Sequence, residues 1–166
     1  TVAVNAANAV AFSLAGAPSG MAIGNTGVIS WARPVAGNYS ITVEATDSKT
    51  GLTWRRCAEG MSWKKTTCSG KASFVNQADA AALAKAAGGE WRLPVLKEMS
   101  SIVAVREAEE GKAAIDPRAF PGTPPGRFWT STSVGTGYFM FVSFIEGSAG
   151  EGARNSPGAV RLVRGK

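Results

Sequence analysis

The sequence predicts an α+β fold of short strands and two helices, preceded by a short all-β segment. Three observations predict it. Apolar and polar residues alternate in several short runs, the clearest placing Tyr39, Ile41, Val43 and Ala45 on one face and Ser40, Thr42, Glu44 and Thr46 on the other. One stretch departs from that period: Ala80, Leu83, Ala84 and Ala87 recur at helical spacing. Finally, 20 glycines and 8 prolines in 166 residues call for many turns rather than long helices.

Taken in order, residues 1–46 carry no helical pattern. Val2 and Val4 alternate, an apolar run follows through Val10, Phe12 and Leu14, and turns at 17–20 and 25–27 separate it from two further strand patterns at 28–31 and 39–46. These read as antiparallel strands of a small sandwich. A full seven-stranded sandwich needs about 100 residues. The segment is therefore an incomplete sandwich, an edge completed by another copy, or a set of extra strands on the main sheet.

Residues 47–54 read as a strand end, a turn and a strand start. Asp47 and Thr50 can bond turn amides, Gly51 suits the turn, and Leu52 and Trp54 then share a face. Residues 54–68 read as a loop holding Trp54 and Trp63 among Arg55, Arg56, Lys64 and Lys65. Rings stack on sugar faces and cations meet anionic groups, so this mixture suits sugar or phosphate binding. The alternative buries the tryptophans and leaves the cations solvated, and Trp54 is expected in the core.

Asn76 caps the clear helix, Asp79 lies in its first turn and Gly88-Gly89 ends it. The run Glu90-Trp91-Arg92-Leu93-Pro94 is a strand stopped by proline, and a second helix is expected from 94 or 95 to about 103 with Leu96 and Met99 inward. The charged segment 106–110 reads as a solvated turn. Residues 111–127 are loop-rich, anchored by Ile115, Phe120 and Phe128. Strands follow at 128–132 and 138–145, the latter apolar on both faces and so central or interfacial. Residues 146–157 read as a long, exposed, glycine-rich hairpin loop before a last strand near 159–163.

The net charge of +6 favours acidic partners such as sulfated or uronic glycans and envelope polymers, with nucleic acid not favoured; it also serves solubility. Cys57 and Cys68 flank a polar loop. A disulfide there would stabilise by roughly 3 kcal/mol and imply an oxidising compartment, the alternative being two reduced core cysteines. The chain has no histidine, so a zinc site lacks its usual ligands and a histidine-based triad is excluded. No carboxylate pair stands in a catalytic register and no phosphate loop is present. Neither an enzyme nor a metal or other cofactor is expected. No apolar run reaches the length of a membrane span and no signal peptide is seen, so a mature or trimmed form is expected.

Five ordered motifs (47–54, Cys57 with Cys68, 90–94, Phe120-Pro121 with 128–132, and 160–164) make residues 47–164 resemble the C-terminal domain family of the Legionella collagen-like adhesin. The phrases at 16–23, 26–31 and 36–47 resemble immunoglobulin-like repeats of bacterial surface proteins. Two domains are implied, 1–46 and 47–166, secreted or on the cell surface. The first resemblance implies a C-type-lectin-like fold: two helices beside a twisted antiparallel sheet with paired terminal strands. The calcium-site triplets of true C-type lectins are absent.

Two readings of function follow. One is an adhesion module that binds an acidic polysaccharide or another host or cell-surface ligand through Arg55, Arg56, Trp63, Lys64, Lys65, Arg127 and Arg154. The other is a subunit of an extracellular filament or pilus, self-associating by strand addition through Val2, Val4, Val10, Phe12 and Leu14.

Overall fold

The computed structural model describes residues 10–104 and 111–165; Val2, Val4 and the charged segment 106–110 lie outside them. The chain opens with strands β1 (Val10–Ala15), β2 (Met21–Ile23), β3 (Ile29–Trp31) and β4 (Thr42–Asp47). Next come β5 (Thr53–Arg55), β6 (Ser62–Lys64), β7 (Thr67–Ser69) and β8 (Phe74–Val75). Helices α1 (Gln77–Ala87) and α2 (Leu96–Ser101) follow. Strands β9 (Arg127–Ser133), β10 (Tyr138–Ser143), β11 (Ser148–Ala153), β12 (Gly158–Ala159) and β13 (Val163–Arg164) end the fold. It is a mixed α+β architecture.

Two sheets organise it. One has the order β1-β4-β5-β13 and the other β11-β10-β9-β12-β8, while β2-β3 and β6-β7 are separate hairpins. Alternation along β9 and β10 builds three layers. Phe128 and Val142 face one way, into a cluster with Ala45, Trp54 and Val163 of the first sheet and Met99 of α2. Trp129 and Phe141 face the other, against Ala80 and Ala84 of α1 with Val160 and Leu162. The five-stranded sheet is thus the middle layer, and residues such as Phe128, Phe144 and Leu162, with no exposed surface, each contribute about 2–3 kcal/mol of burial.

The helices form where the sequence places them. Asn76 Oδ1 accepts from the Asp79 N–H at 2.9 Å, and Gly88 ends α1 at φ 61°, a conformation that favours glycine. Helix α2 is shorter than expected, because Ile102 and Val103 leave it and Val103 pairs with Ile115. Its start is fixed by Glu98, whose carboxylate accepts from the Val95 N–H at 2.8 Å and from Arg92 at 2.7 Å on both oxygens. Thr132 of β9 accepts from the Leu96 N–H at 2.9 Å.

The hydrogen bonds from Arg92 hold Glu98 below the ordinary carboxylate value of 4.5, against the opposing effect of burial. A folded-state pKa below the unfolded one means stability present above that value and lost as pH falls through the lower, folded one. Thermal melts in acid are therefore expected to show the Glu98→Gln variant losing less stability than wild type below pH 4.5. Equal slopes would remove this pair from the acid transition.

Several expectations change. Residues 148–153 form β11, paired along its length with β10, not a loop. Glycine disfavours strands, but here it admits aromatic rings: a Cβ at Gly150 would sit 2.7 Å from the Phe141 ring, and one at Gly152 would sit 2.9 Å from that of Trp129. Residues 62–69 are a hairpin that takes up the second half of the predicted 54–68 loop and runs one residue past it, pairing Trp63 with Cys68. Of the open readings for the N-terminal segment, β1 and β4 lie in one sheet with β5 and β13, so Val10, Phe12 and Leu14 pair within the chain. Glu44, on the polar face of the strand pattern with Ser40, Thr42 and Thr46, is 2% exposed. Arg164 at 2.7 Å and Ser13 at 3.1 Å both donate to its Oε2, and this pairing offsets burial of the charge, while Oε1 is buried with no hydrogen-bond partner among the described residues.

Candidate functional site

Cys57 and Cys68 are disulfide-bonded with their Cα atoms 5.4 Å apart. The bond ties the β6-β7 hairpin to the chain just after β5. Between that hairpin and the segment leading into β4 lies a cleft of about 510 Å³. Tyr39, Ser40 and Thr42 form one wall, and Arg55, Glu59, Ser62 and Trp63 the other. Rings, hydroxyls, one cation and one carboxylate make this wall set suited to a polar, ring-shaped ligand.

Two of the predicted binding residues, Arg55 and Trp63, line this cleft together. Arg55 is largely committed: it pairs with Glu59 at 2.9 Å, and its guanidinium lies 5.0 Å from the ring centre of Trp91. Its Nε, like Trp63 Nε1, is a buried donor with no acceptor among the described residues. Lys64 and Lys65 are exposed on the same hairpin, beside Trp63 and at its tip. Lys65 adopts φ 56°, a left-handed conformation costing a non-glycine residue roughly 1–2 kcal/mol.

Arg56 is not at the surface. It is 2% exposed, packed between the rings of Phe12 at 4.0 Å and Trp63 at 4.4 Å, and its Nε donates to the Ala119 carbonyl at 2.8 Å. Burial pushes its pKa down to about 10, so it remains charged at neutral pH. It braces the fold from behind the cleft and cannot reach a surface ligand. Arg127 and Arg154 are exposed but distant from each other in the sheet. Because β9 and β11 both run antiparallel to β10, the start of β9 and the end of β11 fall at opposite ends. Arg127 covers the Phe141 ring at 4.7 Å. The seven predicted residues thus do not converge.

The sequence reading missed one residue of the cleft, Tyr39, and two, Trp91 and Arg161, that brace Arg55. Trp91 receives Arg164 at 4.8 Å as well as Arg55, and its position beside Arg92 in a quoted motif was the available signal. Tyr39 was placed in a strand, yet it lies within an irregular stretch before β4 and packs edge-on against Trp31 at 5.5 Å. Arg161 is wholly buried, donating to the carbonyls of Arg55, at 2.8 Å, and Arg56, and to Thr123 Oγ1 at 2.7 Å. Nothing in its charge foretold that. Among the described residues no group of three or more Cys, Asp or Glu is placed to hold a metal, and no helix is long and apolar enough to cross a membrane.

Comparison with protein families gives two matches. The model of the Lcl C-terminal domain matches residues 43–164, and that of an Ig domain, He_PIG, matches residues 1–55. They overlap across β4 and β5. No curated protein and no solved structure matches the chain.

Proposed function

Because the chain belongs to the Lcl C-terminal domain family over residues 43–164, we propose that it is an extracellular bacterial adhesion module that binds an acidic glycan at the cleft beside the disulfide hairpin. The observation that carries this reading is the grouping of Trp63, Tyr39, Arg55 and several hydroxyls in one cleft with two free lysines on the adjoining hairpin. An aromatic wall suits a sugar ring, hydroxyls and the Arg55–Glu59 pair suit its polar groups, and Lys64 and Lys65 supply charge for sulfate or carboxylate. A lysine held in a left-handed turn position is a local cost that binding offsets.

The family also favours a C-type-lectin-like arrangement, supported by pairing of β5 with β13 near the two ends of the matched region and by helices flanking the sheet. Binding without turnover is the reading adopted: in the cleft, Glu59 is the carboxylate and it is engaged by Arg55. The Ig-type match on the preceding segment fits a secreted or surface location.

The test is retention on a sulfated polysaccharide such as heparin across a salt series. Lys64→Ala with Lys65→Ala is expected to weaken binding about 3- to 10-fold at low ionic strength, since exposed charge pairs contribute about 0.2–1 kcal/mol each, and to flatten the salt dependence. Arg56 is excluded from the set because its removal would perturb the fold. Unchanged affinity and an unchanged salt slope in the double variant would defeat the proposal.

A further inference from the structure

Strand β1 stands apart from the rest of the first sheet. It precedes the Lcl-matched region, which starts at residue 43, and lies with β4 in the Ig-type match over residues 1–55; it pairs with β4 over six positions from Val10–Asp47 to Ala15–Thr42. No residue of β1 is fully buried, whereas Val43, Glu44 and Ala45 of β4 are, so β4 requires a covering strand more than β1 requires β4. Two contacts make the fit specific: Phe12 stacks on Arg56 at 4.0 Å, and Ser13 donates to Glu44 at 3.1 Å.

The connection between the two strands is largely exposed, with Gly27 buried against Arg56 as its anchor. Residues 32–40 are exposed throughout and form no strand or helix, and the β2-β3 hairpin leaves Val28 and the following Val35 55% and 62% exposed. Even with that hairpin folded, residues 32–41 alone extend up to about 33 Å.

We propose that β1 is an exchangeable strand: β1 of one copy leaves its own sheet and pairs with β4 of a second copy in the same register. A second copy is the partner bound to carry the complementary sequence, with a ring for Arg56 and a hydroxyl for Glu44. The exchanged and unexchanged forms make the same β1-β4 contacts, so the exchange changes little in energy and is favoured by concentration. Reciprocal exchange closes a dimer, and head-to-tail exchange builds a chain of copies. The proposal does not rest on glycan binding, because the lysines of the β6-β7 hairpin take no part.

Cysteine pairs across the register test it. Ala11 and Thr46 are directly opposed, and opposed Cα atoms in antiparallel strands lie about 4.5–5.5 Å apart, within disulfide range. The full-length variants Ala11→Cys and Thr46→Cys, mixed at high concentration and then oxidised, are expected to yield a covalent heterodimer linked between positions 11 and 46, identified by peptide mapping. The Ala11→Cys/Thr46→Cys double variant, oxidised when dilute, is expected to close within one chain and to lose concentration-dependent association. Absence of the heterodimer while the double variant closes would overturn the exchange. Failure of the double variant to close would overturn the pairing on which it depends, and undiminished association of the closed form would show that copies meet elsewhere.

Discussion

Replacing Arg161 with alanine is expected to destabilise the protein by about 4 kcal/mol, seen as a lower urea midpoint at unchanged slope. The residue has no exposed surface, and its guanidinium lies 4.7 Å from the Phe120 ring centre. Burial pushes its pKa down to about 9; Glu59 opposes the shift and the charge of Arg56 adds to it. At neutral pH it is therefore still a cation with all donors in place. Alanine would leave the Arg55 and Arg56 carbonyls and Thr123 Oγ1 without that donor, and open a cavity between the 120–123 loop and β5. Lysine would keep the charge but lose the planar fork that reaches three acceptors at once, so it is expected to recover less than half of the loss. A cost below about 1 kcal/mol for alanine would mean that the carbonyls find other partners readily.

The second large effect concerns the disulfide. Replacing Cys57 and Cys68 together with alanine is expected to lower stability by roughly 3 kcal/mol, the value for a loop near this size on the chain-entropy model. Binding should suffer as well, because Cys68 lies opposite Trp63 in the hairpin and the bond holds that wall of the cleft. Reduction of wild type should reproduce both losses. Thermal melts with and without reductant, paired with heparin retention, separate the outcomes. A reduced protein that melts unchanged would show that packing contacts such as Trp63 on Arg56 hold the hairpin without the bond.

These two cases mark where sequence reading succeeds and where it stops. The cap of α1 was legible because Asn76 and Gly88 act locally, through their own backbone conformations. The disulfide was legible from two cysteines in a chain without histidine. The core positions of Ile115, Phe120 and Phe128 followed from their size. Strand β11 was not legible, since Gly150 and Gly152 lower strand propensity and gain their place only when the rings of Phe141 and Trp129 lie over them. Nor were the buried arginines. Charge predicts exposure for most residues, and what overrides it here is a set of backbone carbonyls from segments more than 60 positions away in sequence. The binding site was half legible: Arg55 and Trp63 were found, while Tyr39 arrives from a separate segment whose approach only the fold reveals.

The interior position of Arg56 and Arg161 also alters how the molecule titrates. The formal charge of +6 counts both, and at neutral pH both remain cations, so mobility there follows the full charge in the native and denatured states alike. Their folded pKa values of about 10 and about 9 lie below the ordinary 12.5, so above neutral pH the folded chain sheds these protons before the unfolded one does. The native protein should therefore focus below the isoelectric point of about 9.7 that the sequence implies.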